Sequence, residues 1–154
     1  MDQKTKVNAE DGKQELTITR VFDLPVELLF KAYTEAELVE QWMGTKVLKL
    51  DSKKHGSYQF ETTYEGNVVF RANGTIHEFV PDQKITRTFE MENTPFPIQL
   101  EFLNFKKLTA NSSQLTIQIV FKSIGFRDQL LQMPFAQGIN MAHNRIQSIL
   151  TSKK

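Results

Sequence analysis

Between Val47 and Ser123 apolar and polar side chains alternate with a period of two, whereas the flanking stretches repeat every three to four residues. The middle therefore predicts strands near Val47–Asp51, Ser57–Tyr64, Val68–Val80, Lys84–Glu92, Ile98–Thr109 and Gln114–Ser123, with a further strand at Glu15–Asp23 ahead of them. Connections such as Glu65-Gly66-Asn67 and Pro81-Asp82-Gln83 are short, which favours an antiparallel meander. Asn73-Gly74 interrupts one run; we read it as a bulge in a long strand rather than a hairpin turn, because a sheet that curls around a helix needs bends.

Two short helices are predicted between the first strand and Val47. Asp23-Leu24-Pro25 marks the first start. Thr34 with Glu37 three residues on forms a capping-box pattern for the second, Tyr33 and Leu38 are placed as its hydrophobic staple, and Gly44 ends it. A long C-terminal helix is predicted over Phe126–Leu150, with Phe135, Ile139, Ala142, Ile146 and Ile149 on one side. Pro134 lies inside it, so the helix either kinks or ends and restarts at Met133–Pro134. These elements sum to an α+β helix-grip fold: a curved antiparallel sheet of about six or seven strands wrapped around a long C-terminal helix. Residues 15–154 form one domain in this reading, after a flexible segment 1–14.

Composition narrows the function. Nineteen Lys and Arg against eighteen Asp and Glu leave a formal charge of +1, no field for a polyanion, and the run Lys53-Lys54-His55 has no interleaved aromatics, so nucleic acid is not an expected partner. No window approaches the ~20 apolar residues of a membrane span. Met1–Gly12 is polar, without the apolar centre of a secretory signal, so a cytoplasmic location is expected. There is no cysteine, and His55, His77 and His143 are scattered over a turn, a strand and a helix, so neither a metal, a cofactor nor a recognisable catalytic motif is expected. The twelve phenylalanines fall mostly in the strands and predict an aromatic interior.

Several strings carry a family resemblance. Arg20-Val21-Phe22-Asp23-Leu24-Pro25, Phe30-Lys31-Ala32-Tyr33-Thr34, and Leu38 through Gln41-Trp42-Met43-Gly44 resemble the opening of the family named after the activator of heat-shock protein 90 ATPase. Gly74-Thr75-Ile76-His77-Glu78-Phe79-Val80-Pro81 resembles its middle strand, and Arg127-Asp128-Gln129-Leu130-Leu131 with Asn144-Arg145-Ile146 its closing helix. Many relatives carry Trp-Trp-Gly-Pro where this chain has Trp42-Met43-Gly44-Thr45. The resemblance implies the START-like, birch-allergen-like (SRPBCC) superfamily and places Trp42 near the mouth of a pocket.

Beside Trp42, which the resemblance places there, strand parity and helix spacing nominate the walls of that pocket: Phe60, Tyr64, Arg87, Phe89, Phe102 and Phe121 from the strands, and Phe135, Gly138, Ile139 and Ala142 from the long helix. Each has a plain alternative as core. Gly138 makes room either for a ligand or for closer helix packing. Arg87 either points inward, where a carboxylate ligand would pair with it, or is turned into water by a slip of parity. The leading reading is a non-enzymatic holder of a small hydrophobic or amphipathic molecule. A protein-interaction module, with a protein partner or a second copy, and a pocket enzyme of the polyketide-cyclase type are the alternatives. The first calls for an exposed apolar patch and the second for a perturbed acid or base inside the cavity.

Overall fold

In the computed structural model, which describes residues 4–154, eight strands form one antiparallel sheet in the order β1-β2-β8-β7-β6-β5-β4-β3. They are β1 (Lys6–Asn8), β2 (Glu15–Phe22), β3 (Lys46–Leu50), β4 (Ser57–Tyr64), β5 (Asn67–Val80), β6 (Lys84–Met91), β7 (Gln99–Thr109) and β8 (Ser112–Val120). Helices α1 (Val26–Thr34) and α2 (Ala36–Met43) follow β2, and α3 (Ile124–Gln132) and α4 (Phe135–Thr151) close the chain. The predicted α+β helix-grip architecture is the observed one, with one strand more than expected. The extra strand is β1, which pairs with β2 from Lys6↔Thr19 to Asn8↔Thr17. It lies in the segment 1–14 expected to be flexible; residues 1–3 of that segment are outside the described residues. Its edge position is held by side chains, with the Thr5 amide donating to Asn140 Oδ1 of α4 at 3.0 Å.

The long-helix alternatives resolve in favour of a break. The residue before a proline is pushed out of the α region, and Met133 accordingly has ψ 164°, ending α3 so that α4 restarts at Phe135. Ser123 caps α3 by accepting from the Phe126 amide. The capping box at Thr34 and Glu37 does not form. Helix α1 runs through Thr34, whose hydroxyl donates back to the Phe30 carbonyl, and a residue in helical geometry cannot also be an extended N-cap; Glu35 takes that place. Gly44 ends α2 in the left-handed conformation, φ 65°, as its lack of a Cβ allows.

Strand β5 continues through Asn73-Gly74, so the hairpin alternative falls. The bulge sits a little further on, between Ile76 and Glu78, around His77. Gly74 answers to a different demand. It lies opposite Tyr58 of β4, and a Cβ there would come 2.0 Å from the Thr88 carbonyl oxygen and 2.5 Å from the Tyr58 ring. The missing side chain lets Tyr58 lie across the strand and donate its hydroxyl to that same carbonyl.

The core is one cluster joining the inner faces of β2, β4, β7 and β8 to all the helices, with Leu16, Ile18, Phe22, Leu103, Leu115, Ile146 and Leu150 nearly sealed from solvent. Aromatic edge contacts tie α1 into it: Phe30 packs against Phe79 and Phe105, and Tyr33 against Phe105.

Two glycines separate these roles experimentally. Gly74→Ala forces backbone and ring apart and should destabilise by about 1–3 kcal/mol or more, as overpacking does. Gly138, whose Cβ position meets nothing within 4 Å, should gain up to about 1 kcal/mol as Ala through helix propensity. Urea unfolding of both variants checks the opposite signs.

Candidate functional site

Helix α4 does not fill the space in front of the sheet. Its C-terminal half packs densely, with Ile146 and Leu150 buried, while Phe135 and Ile139 in its first turns are only half-buried. Beneath them lies a cavity of about 340 Å³. That volume falls in the range of small-molecule sites. Ile18 of β2 and Phe60 of β4 both line it. These strands are five steps apart in the sheet, roughly 24 Å at ~4.8 Å per step if the sheet were flat, so the sheet bends toward the helix.

Most of the nominated wall is there. Trp42, Phe60, Arg87, Phe89, Phe135, Ile139 and Ala142 line the cavity. Trp42 is held by its indole N–H, which donates to the Ala32 carbonyl at 2.7 Å, and by a tilted contact with Tyr33. Four nominated residues lie elsewhere. Tyr64 has the parity of Phe60 but sits at the tip of the β4–β5 hairpin, beyond the reach of the helices, and is 66% exposed. Phe121 lies just past the end of β8 and is buried in the core rather than at the cavity. Phe102 is on the opposite face of β7, because the inward residues of that strand are Gln99, Glu101, Leu103 and Phe105. Gly138 points to solvent. At about 100° per residue, the buried face of α4 centres on His143, Ile146 and Leu150, some 50° round from Phe135, which carries Gly138 out of the interface.

The inverted parity of β7 brings in the polar residues that the hydrophobic pattern passed over. Glu101 lies directly opposite Arg87 on β6, and Arg87 Nε donates to Glu101 Oε1 at 2.9 Å. Gln99 Nε2 donates to Glu101 Oε2 at 2.7 Å. The guanidinium also stacks over the Tyr58 ring, 5.2 Å from its centroid. Arg87 therefore points inward, and its carboxylate is supplied by the protein itself. Burial works against its charge, but Tyr58 and Glu101 outweigh that and leave the group fully protonated. The complementary signs of Arg87 and Glu101, once β6 and β7 are aligned as a hairpin, were the signal in the sequence that could have corrected the parity.

His143 is the second residue that the helix pattern passed over. It is 2% exposed, lines the cavity, meets the Phe22 ring edge-on and shares a 2.6 Å hydrogen bond between Nδ1 and Thr5 Oγ1. Burial and the nearby positive charge of Arg20 push its pKa down to about 3, so the ring is neutral at ordinary pH. Tyr33 and Tyr58 are shifted the other way, upward, chiefly by burial, and keep their protons. The wall thus offers neutral hydrogen-bonding groups, one internally compensated ion pair and the solvent-exposed Arg145. Among the described residues no cluster of three or more His, Asp or Glu is placed to hold a metal ion, and no helix is long and apolar enough to cross a membrane.

Comparison with known proteins places this geometry. The family model for activator of Hsp90 ATPase homolog 1-like proteins matches residues 23–151. No curated protein matches the chain. Among solved structures, a protein from Rhodobacter sphaeroides superposes with a TM-score of 0.86 at 16% identity, covering 97% of this chain and 99% of that one. One from Mycobacterium smegmatis gives 0.83 at 21% identity, with 96% of each chain covered. A solution structure from Staphylococcus epidermidis gives 0.80 at 22% identity, with 94% of each covered. At these identities the likeness is one of fold.

The depressed His143 pKa has a defined consequence for stability. In the unfolded chain the imidazole takes a proton near its ordinary value of 6.5, whereas in the folded protein it does so only near 3. Between these values the unfolded state binds more protons, so the stability present above pH 6.5 falls as pH drops, by up to about 1.4 kcal/mol per unit. Urea unfolding of His143→Gln between pH 7 and pH 4.5 should show a shallower loss than the parent; identical slopes would mean the imidazole is not buried neutral.

Proposed function

The chain belongs to the activator of Hsp90 ATPase homolog 1-like family, and we propose that it binds and carries a small hydrophobic or amphipathic molecule between α4 and the sheet. The observation that supports this most is the cavity beneath the first turns of α4, whose lining is mainly apolar and aromatic: Trp42, Phe60, Phe89, Phe135, Ile139 and their neighbours. A ligand of matching shape removes this apolar surface from water, which is the favourable contribution that supports the reading.

The N-terminal part of α4, half-buried at Phe135 and Ile139, with the exposed Met133 ahead of it, offers an entry that requires no strand to open. Binding in this scheme is passive: shape and apolar area supply affinity, and the few polar groups on the wall supply orientation.

Native mass spectrometry after incubation with an extract of the source cells tests the proposal. A stoichiometric adduct should form on the parent protein and on Gly138→Leu, whose new side chain enters solvent, and should disappear in Ala142→Phe, which projects into the cavity. Loss in both variants, or retention in both, would contradict a ligand beneath α4.

A further inference from the structure

The polar end of the cavity specifies what kind of amphipathic molecule fits, an inference that rests on the carrier reading above. Arg87 uses only Nε toward Glu101, so its two terminal nitrogens retain donor capacity on the cavity wall. Tyr33 is 5% exposed, lines the same cavity, and its hydroxyl makes no hydrogen bond among the described residues. It is not sealed off either, since among the described residues the one sealed and unpaired side-chain nitrogen or oxygen is Arg20 Nε, away from the lining. Glu101, by contrast, is engaged on both oxygens, by Arg87 and by Gln99. The buried part of the wall therefore offers spare donors around a charge pair that is already neutral, while Arg145, the other charged residue of the lining, is exposed to solvent. We propose that the ligand carries an uncharged hydrogen-bond acceptor, of the ketone, ester or amide type, that seats against Arg87 and the Tyr33 hydroxyl with its apolar body along Phe89, Ile139 and Trp42.

An anion fits this end poorly. Its attraction to Arg87 is opposed by Glu101, which is bonded to the same guanidinium, and removing a carboxylate from water costs far more than removing a carbonyl. A pure hydrocarbon fills the apolar part but leaves the donors without partners.

Calorimetric titration with three probes of matched heavy-atom count tests the assignment: benzylacetone, a ketone; hydrocinnamate, the carboxylate; and pentylbenzene, the hydrocarbon. The hosts are the parent protein, Tyr33→Phe, and the double variant Arg87→Met/Glu101→Leu, which removes both charges together so that neither is stranded. Benzylacetone should bind the parent more tightly than hydrocinnamate does. Its affinity should fall about fivefold in Tyr33→Phe and about tenfold in the double variant, losses of the size of single hydrogen bonds, while pentylbenzene, relieved of unpaired donors, binds no more weakly in either. Equal changes for ketone and hydrocarbon, no change for the ketone in Tyr33→Phe, or tighter binding of hydrocinnamate would overturn the assignment while leaving the cavity reading intact. Failure of all three probes to bind the parent would overturn both. Thermal unfolding of each host separates a lost contact from a lost fold, and Tyr33→Phe, which deletes one oxygen, keeps the test decisive if the double variant does not fold.

Discussion

Arg87 and Glu101 face each other across neighbouring strands on the inner side of the sheet, and the rest of the site is arranged around the need to keep them together. Two charges that are 15% and 9% exposed are tolerable only as a pair with their remaining bonding capacity met. Tyr58 under the guanidinium and Gln99 beside the carboxylate meet part of it. Gly74 contributes at one remove, because only a residue without a Cβ lets the Tyr58 ring lie where it does. The middle of the inner face is therefore polar, and an apolar helix stripe cannot be pressed flat against it. Helix α4 instead buries its C-terminal half, through Ile146 and Leu150, while its first turns stand off. The cavity is the space that this division leaves.

Much of the architecture was legible because it follows from periodicity. Ile117, Ile119 and Leu115 alternate cleanly with polar neighbours, and β8 forms there, shifted two to three residues toward the N-terminus of the expected range. Breaks at Pro134 and Gly44 follow from local sterics that no tertiary context overrides. Parity failed on β7, where Leu100 and Phe102 are apolar and face outward, while Gln99 and Glu101 are polar and face inward. A rule that sends apolar side chains inward must misread a strand whose inner face carries a paired charge and an amide. The same logic hid His143: an imidazole within an amphipathic helix reads as surface until its partner Thr5, 138 residues away in sequence, is brought to it. That contact depends on β1, a three-residue edge strand too short to announce itself by pattern.

Family membership and fold agree with each other and bear on the site only in outline. These three structural neighbours cover 94–97% of the chain at 16–22% identity, which preserves the helix-grip frame while leaving most wall residues free to differ. In such a frame the sheet and α4 supply a space, and the residues that project into it decide what the space accepts. Here that set combines aromatic walls with donors at one end, a composition suited to a molecule with an apolar body and one neutral polar group.

The most direct measurement of the central claim, that apolar molecules enter the space beneath α4, is methyl-detected NMR of protein labelled at Ala, Ile and Met during titration with aminoanthracene, a neutral aromatic probe. The account predicts shifts and intermolecular contacts at Ile18, Met91, Ile117, Ile119, Ile139 and Ala142, which line the cavity, with Ile98, Ile124 and Met141 on the surface unmoved. Perturbations concentrated on the surface set, with the cavity methyls silent, would contradict it.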